Sequence, residues 1–206
     1  MRTVDPVRHA ARREAILDAA AACFAEKGFH ATRTAEICAR AGMSAGNLFH
    51  YYASKQAIVL ALVERDGEQA RTHLALLDAA EDPLAALLGL LDTVVELAAD
   101  ATYAGLALEI SAEAHRDAAI AALVTRHDRE WRDGLERLLR RAAAAGRIDR
   151  AIDPATAATW LAALVDGLFS RVAIDPAFVA AEQGVTLRFI VTRYLRARQG
   201  GVAPSR

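Results

Sequence analysis

TAEICARAGMSAGNLFHYY, residues 34–52, is the stretch on which the reading of this chain turns. Thr34 sits where an N-cap opens a short helix through Ala41, and Gly42 stops it. Ser44 then opens a second short helix through Tyr52. Two short helices joined by a tight turn at Ala41-Gly42-Met43 have the spacing of a helix-turn-helix. Glycine in that turn permits the positive φ that closes it. Ile37, Ala41, Met43 and Leu48 are the apolar positions that pack the two helices together. The second helix is left to expose Ala45, Asn47, His50 and Tyr51, a face small and polar enough for a major groove. Its first residues, Ser44 to Gly46, offer free backbone N–H groups to a phosphate.

The flanking sequence predicts a string of helices. A first helix from about Ala10 to Lys27 carries Ile16, Leu17, Ala20, Cys23 and Phe24 at helical spacing, and Gly28 caps its end. Ser54 opens a long fourth helix to about Ala79. Asp82-Pro83 and Asp153-Pro154 are cap-plus-proline start signals for a fifth and an eighth. A sixth spans about Thr102 to His115, and a seventh Asp117 to about Ala145, ended by Gly146. The last begins after Pro176 and ends near Arg198. No segment alternates with period two between turn residues. The fold class is therefore all-α, with about nine helices. An N-terminal three-helix DNA-binding domain with the helix-turn-helix covers residues 1–54. A second helical domain covers 55–200, and a frayed tail 201–206.

Composition fits this reading. The 206 residues are 54% hydrophobic and 25% charged, with only 6% aromatic, as in a globular helical protein. Net charge is −1, but residues 1–55 carry eight Lys/Arg against five Asp/Glu, and the remainder seventeen against twenty-one. A net of +3 at one end marks where a polyanion would dock. Two cysteines, Cys23 and Cys38, make no disulfide framework and read as reduced, buried side chains. No signal peptide is visible, and charges interrupt the apolar stretches short of a membrane span. A cytoplasmic protein without membrane attachment is expected. The histidines and cysteines lack metal-ligand spacing, so neither metal nor cofactor is implied.

Residues 15–63 resemble the tetracycline-repressor (TetR) family of regulators. The matching features are Phe24 with Gly28-Phe29, Thr34, Ile37, Ala41-Gly42, Ser44, Gly46, the aromatic cluster Phe49/Tyr51/Tyr52, and Lys55 at the start of helix 4. The resemblance implies a ligand-responsive DNA-binding regulator, a repressor released from a palindromic operator by a small-molecule inducer. Thr34 would contact phosphate. Ser44, Ala45, Gly46 and Asn47 would lie at the groove, His50 and Tyr51 would reach bases or phosphates, and Lys55 would clamp phosphate. Two positions depart from the family pattern. Cys38 stands where alanine is usual, and Ala45 replaces a polar or basic side chain, which shifts base readout onto Asn47 and His50.

The same resemblance places an inducer pocket among helices 4 to 7, with Tyr103, Leu106, Ile110, His115 and Trp131 as candidate liners of an apolar or aromatic site. It also implies a homodimer through a four-helix bundle, and so makes residues 55–200 the ligand-binding and dimerisation domain. Helix 8, WLAALVDGLFSRVAI from Trp160, is apolar nearly all round, and the last helix shows the same surplus. Trp160, Leu164, Leu168, Phe189 and Tyr194 are the candidate interface residues.

Two competing readings are weaker. Gly42-Met43-Ser44-Ala45-Gly46 is literally the G-x-S-x-G of hydrolases, but that elbow needs a strand before it, and here a helix precedes. Ser44 is expected to be a helix cap, and the protein no enzyme. A purely structural adaptor would show no salt-dependent DNA binding.

Overall fold

The computed structural model describes residues 6–196. Its elements are α1 (Pro6–Lys27), α2 (Thr34–Arg40), α3 (Ala45–Tyr51), α4 (Lys55–Asp78), α5 (Pro83–Ala99), α6 (Ala101–Ala114), α7 (Ala118–Ala144), α8 (Pro154–Ile174) and α9 (Gly184–Leu195), with one 3₁₀ turn at Ala180–Glu182. No strand occurs among the described residues. The expectations for residues 197–198 at the end of the last helix and for the 201–206 tail lie outside them.

The helix starts follow local chemistry. Asp82, Asp100, Asp117 and Asp153 each turn a carboxylate back onto N–H groups of the first helical turn, at 2.8–3.1 Å. Proline follows two of these caps, where no N–H is missed. α1 also opens on a proline, Pro6, one turn earlier than its apolar spacing suggested. α2 corrects one expectation. Its N-cap is Arg33, held extended (φ −91°, ψ 144°), and Thr34 is the first helical residue. The cap works through Glu36, whose carboxylate accepts from the Arg33 N–H at 2.8 Å and from Lys27 Nζ.

The described residues form two compact units. The first holds the chain up to Gln69 together with Asp100–His127, and so takes in α1 to α3, most of α4, all of α6 and the start of α7. The packing does not divide at residue 54: α1 to α3 share one body with most of α4, α6 and the start of α7. Its core joins Ile16, Leu17, Ala20, Phe24, Ile37, Leu48, Ile58 and Leu62 to Leu106 of α6 and Ile120 of α7. α6 lies against α1 at Gly105, where a Cβ would come within 3.2 Å of the Ala25 methyl, so a side chain there would push the helices apart.

Asp66 of α4 is half-buried within this unit. Desolvation pushes its carboxyl up to about 6, against the opposing pull of Arg65, whose Nε lies 3.9 Å away. A carboxyl whose folded pKa exceeds its unfolded one stabilises the fold only when protonated, so its contribution is lost as pH rises from about 4 through about 6. Asp66→Asn is expected to raise stability at pH 7–8 by up to about 3 kcal/mol, with no gain at pH 4. Thermal melts at the two pH values check this; an equal gain at both would attribute it to something other than ionisation.

The second unit holds Ala70–Ala99 and the chain from Asp128 onward. Leu87, Leu90, Leu91 and Val94 of α5 pack with Leu135 and Leu139 of α7, Leu161 and Leu168 of α8, and Leu187, Val191 and Leu195 of α9. α8 is long and apolar enough to cross a membrane by length and composition, although Asp166 and Arg171 interrupt it. One side of it instead packs in this core. That packing also corrects the interface set. Leu168 is 6% exposed, a core residue of its own protomer, and Leu164 is half-buried against the same cluster. Trp160 (61% exposed), Phe189 (63%) and Tyr194 (41%) do face outward, joined by Ile174, Val185 and Ile190.

Candidate nucleic-acid interface

The turn between α2 and α3 is closed by backbone bonds from Gly42 N–H to Ala39 O (3.3 Å) and Met43 N–H to Cys38 O (3.0 Å), with Gly42 at φ +63°. Cys38 is buried under this turn and Cys23 is buried in α1, both as free thiols. Ser44 is extended, and its Oγ accepts from the Asn47 N–H at 3.4 Å, as expected of a cap. Leu48, fully buried, pins α3 to the core. Ala45, Gly46, Asn47, Phe49 and His50 are exposed by that anchoring. At Gly46 a Cβ would meet nothing within 4 Å, so nothing in the fold itself requires the missing side chain.

The three aromatics after Leu48 take three different roles. Phe49 is 49% exposed. Tyr51 is half-buried, its ring 4.8 Å from that of His9 and 5.6 Å from that of His50, while its carbonyl accepts from Arg13. Tyr51 therefore fastens α3 to α1. Tyr52 is buried, with the Arg13 guanidinium 4.4 Å over its ring. Burial raises its phenol pKa, and its hydroxyl finds no hydrogen-bond partner among the described residues.

Lys55 behaves differently from the phosphate clamp the resemblance implied. Its ammonium donates to the carbonyls of Phe29 (2.6 Å), Thr32 (3.0 Å) and His30 (3.5 Å), and lies 4.4 Å over the Phe29 ring. Three protons meet three acceptors, so Lys55 is spent on tying down the α1–α2 loop. Thr32 is buried in that loop, its hydroxyl within reach of the Cys23 and Gly28 carbonyls. Thr34 is half-buried at the start of α2.

The loop is also gripped from α6. The Phe29 N–H donates to Glu109 Oε2 at 2.8 Å, and His30 Nε2 pairs with the buried Glu113 at 2.9 Å. Glu109 and Glu113 were not singled out from sequence. Their signal was present all the same: two carboxylates four residues apart on a helix that otherwise reads apolar.

The candidate liners divide. Leu106 and Ile110 border a cavity of about 10 Å³ with Phe24, Phe29, Val59, Glu109 and Glu113, room for about one water. Tyr103 is on the same helix, its phenol pushed up to about 12 by burial and by the nearby charge of Asp66. His115 is exposed at the end of α6, with Nδ1 2.9 Å from the Ser111 carbonyl. Trp131 packs against the core of the other unit. An open groove of about 600 Å³ between α4 and the start of α7, lined by Leu60, Glu64, Leu123 and Arg126, was not foreseen. Among the described residues no cluster of His, Cys, Asp and Glu could hold a metal.

Comparison with known proteins gives two family matches. Residues 16–62 match bacterial regulatory proteins of the tetR family, and residues 83–198 match the C-terminal region of BetI-type transcriptional repressors. The Escherichia coli K12 transcriptional regulator UidR is 27% identical over 190 residues, covering 90% of this chain and 93% of its own. The Salmonella enterica GusR structure is 30% identical with a TM-score of 0.70, over 95% of this chain and 99% of that one. SmeT, repressor of the Stenotrophomonas maltophilia multidrug efflux pump SmeDEF, has been solved with triclosan; that structure is 25% identical with a TM-score of 0.78, covering 95% of this chain and 96% of that one.

Proposed function

The chain belongs to the tetR family of bacterial regulatory proteins, and on that premise we propose that it is a dimeric, cytoplasmic repressor that leaves a near-palindromic operator when a small molecule binds its body. The observation that carries the DNA-binding part is the outer face of α3, where Ala45, Gly46, Asn47 and His50 stand exposed behind a serine cap and a buried Leu48 anchor. Asn47 offers the donor and acceptor that match an adenine edge, and His50 a second polar contact. Lys55 and Tyr51 support that face by fixing the loop and α3, while Thr34, half-buried at the start of α2, is a phosphate contact.

Ligand release is supported by the triclosan complex of SmeT. Tyr103, Leu106 and Ile110 place candidate ligand contacts on the helix whose Glu109 and Glu113 grip the α1–α2 loop. A ligand that displaces α6 would disturb the loop from which α2 starts, giving the two sites a shared two-state element. Dimerisation is supported by the outward Trp160, Phe189 and Tyr194. The hydrolase reading loses its footing, because Ser44 caps a helix that follows another helix.

The test is binding to duplexes selected from a random library, measured against salt concentration. The logarithm of affinity should fall linearly with that of salt. Asn47→Ala should change preference at one base pair by about 1–3 kcal/mol. A uniform loss across sequences would move Asn47 to the backbone, and binding insensitive to salt would refute the reading.

A further inference from the structure

α3 runs from Ala45 to Tyr51, so Ala45 and Phe49 lie one turn apart on the same face. Both are exposed, and together they form an apolar strip beside the polar Asn47 and His50. The exposure of Phe49 is specific, because its aromatic neighbours are committed elsewhere: Tyr51 to His9 and His50, Tyr52 to the core. Between the two apolar residues, Gly46 carries no side chain although the space beside it is open and glycine weakens a helix relative to alanine. Gly46 leaves room for the helix to approach another surface closely, beside one large exposed ring.

A strip without donors or acceptors cannot read guanine, cytosine or adenine through hydrogen bonds. The single apolar group on a major-groove edge is the C5-methyl of thymine, and alanine and phenylalanine are side chains that contact it. We propose that Ala45 and Phe49 read thymine C5-methyl groups in each operator half-site, with Phe49 as a specificity-determining residue. This rests on the DNA-binding reading above and names what the non-polar half of α3 recognises. It also accounts for Ala45 in place of the polar or basic residue: the position contributes methyl contact and no charge.

Substituting deoxyuridine for thymine removes the methyl group and leaves base pairing and the O4 acceptor intact. The probe is a duplex selected from a random library by the full-length protein, resynthesised with deoxyuridine at each thymine in turn. At one or two positions per half-site, wild-type affinity should drop by about fourfold, the factor that burial of one methyl-sized group is worth. Phe49→Ala should bind the thymine duplex more weakly and be indifferent to deoxyuridine at one of those positions. Phe49→Leu should keep part of the sensitivity. Phe49 lies outside the core, so helix content and melting of Phe49→Ala should match wild type.

No methyl-sensitive position in the wild type, or the same sensitivity in Phe49→Ala, would overturn the proposal while leaving DNA binding intact. A library in which no sequence is enriched would overturn the DNA-binding reading and this inference with it.

Discussion

Trp160→Glu combined with Phe189→Glu is expected to yield a folded monomer that has lost operator binding. Both side chains are more than half exposed in the protomer, at 61% and 63%, so carboxylates there stay solvated and the fold is kept. In a dimer built on this face, four such carboxylates would be buried without partners. Even after relaxation an unpaired buried charge is worth several kcal/mol, enough to weaken association by more than about a hundredfold. A seven-residue reading helix reaches only a few base pairs, so one copy cannot supply the specificity that competing genomic sites demand. Sedimentation and operator binding on one sample decide the matter. A double variant that sediments as a dimer and binds normally places the interface elsewhere. Leu168→Glu is the instructive contrast: it buries its charge within the protomer's own core and should unfold the chain.

Lys55→Ala is expected to lower stability by about 2 kcal/mol, because a charged donor serving three loop carbonyls disappears. For a chain of this size that is a fall of roughly 4–8 °C in Tm. DNA affinity should drop for all sequences alike as the loop ahead of α2 loosens. The slope of affinity against salt should stay unchanged, since no phosphate contact is removed. A slope reduced by about one per subunit would show that the ammonium leaves the loop carbonyls for a phosphate when DNA binds.

The contrast between these positions shows what could be read in the sequence. The helix-turn-helix was legible because its determinants are local: a glycine at positive φ, a serine cap, and apolar residues at helical spacing. The Asp-Pro starts of α5 and α8 were legible for the same reason. The role of Lys55 was not, because its partners are backbone carbonyls, which leave no trace in residue identity. Nor could Phe49, Tyr51 and Tyr52 be sorted by type alone. α3 stops at Tyr51, and Tyr52 adopts an extended conformation (φ −137°, ψ 118°), which breaks the helical phase and turns its ring inward. On α8 both sides are apolar, and only packing against α5 and α9 assigns Leu168 to the inside and Trp160 to the outside.

The grip of α6 on the α1–α2 loop bears on how such chains can exchange parts. A reading head excised at residue 54, or at Gln69, would leave behind Leu106 and Ile120 from its own core, and the two carboxylates that fasten Phe29 and His30. Transplanted onto an unrelated body, it would arrive with an exposed apolar flank and a slack loop. A chimaera is therefore expected to keep its fold only with a body whose sixth helix offers small, apolar and acidic residues in the register of Gly105, Leu106, Glu109 and Glu113. α3 and a helix well beyond it in the chain are thus expected to transfer only together.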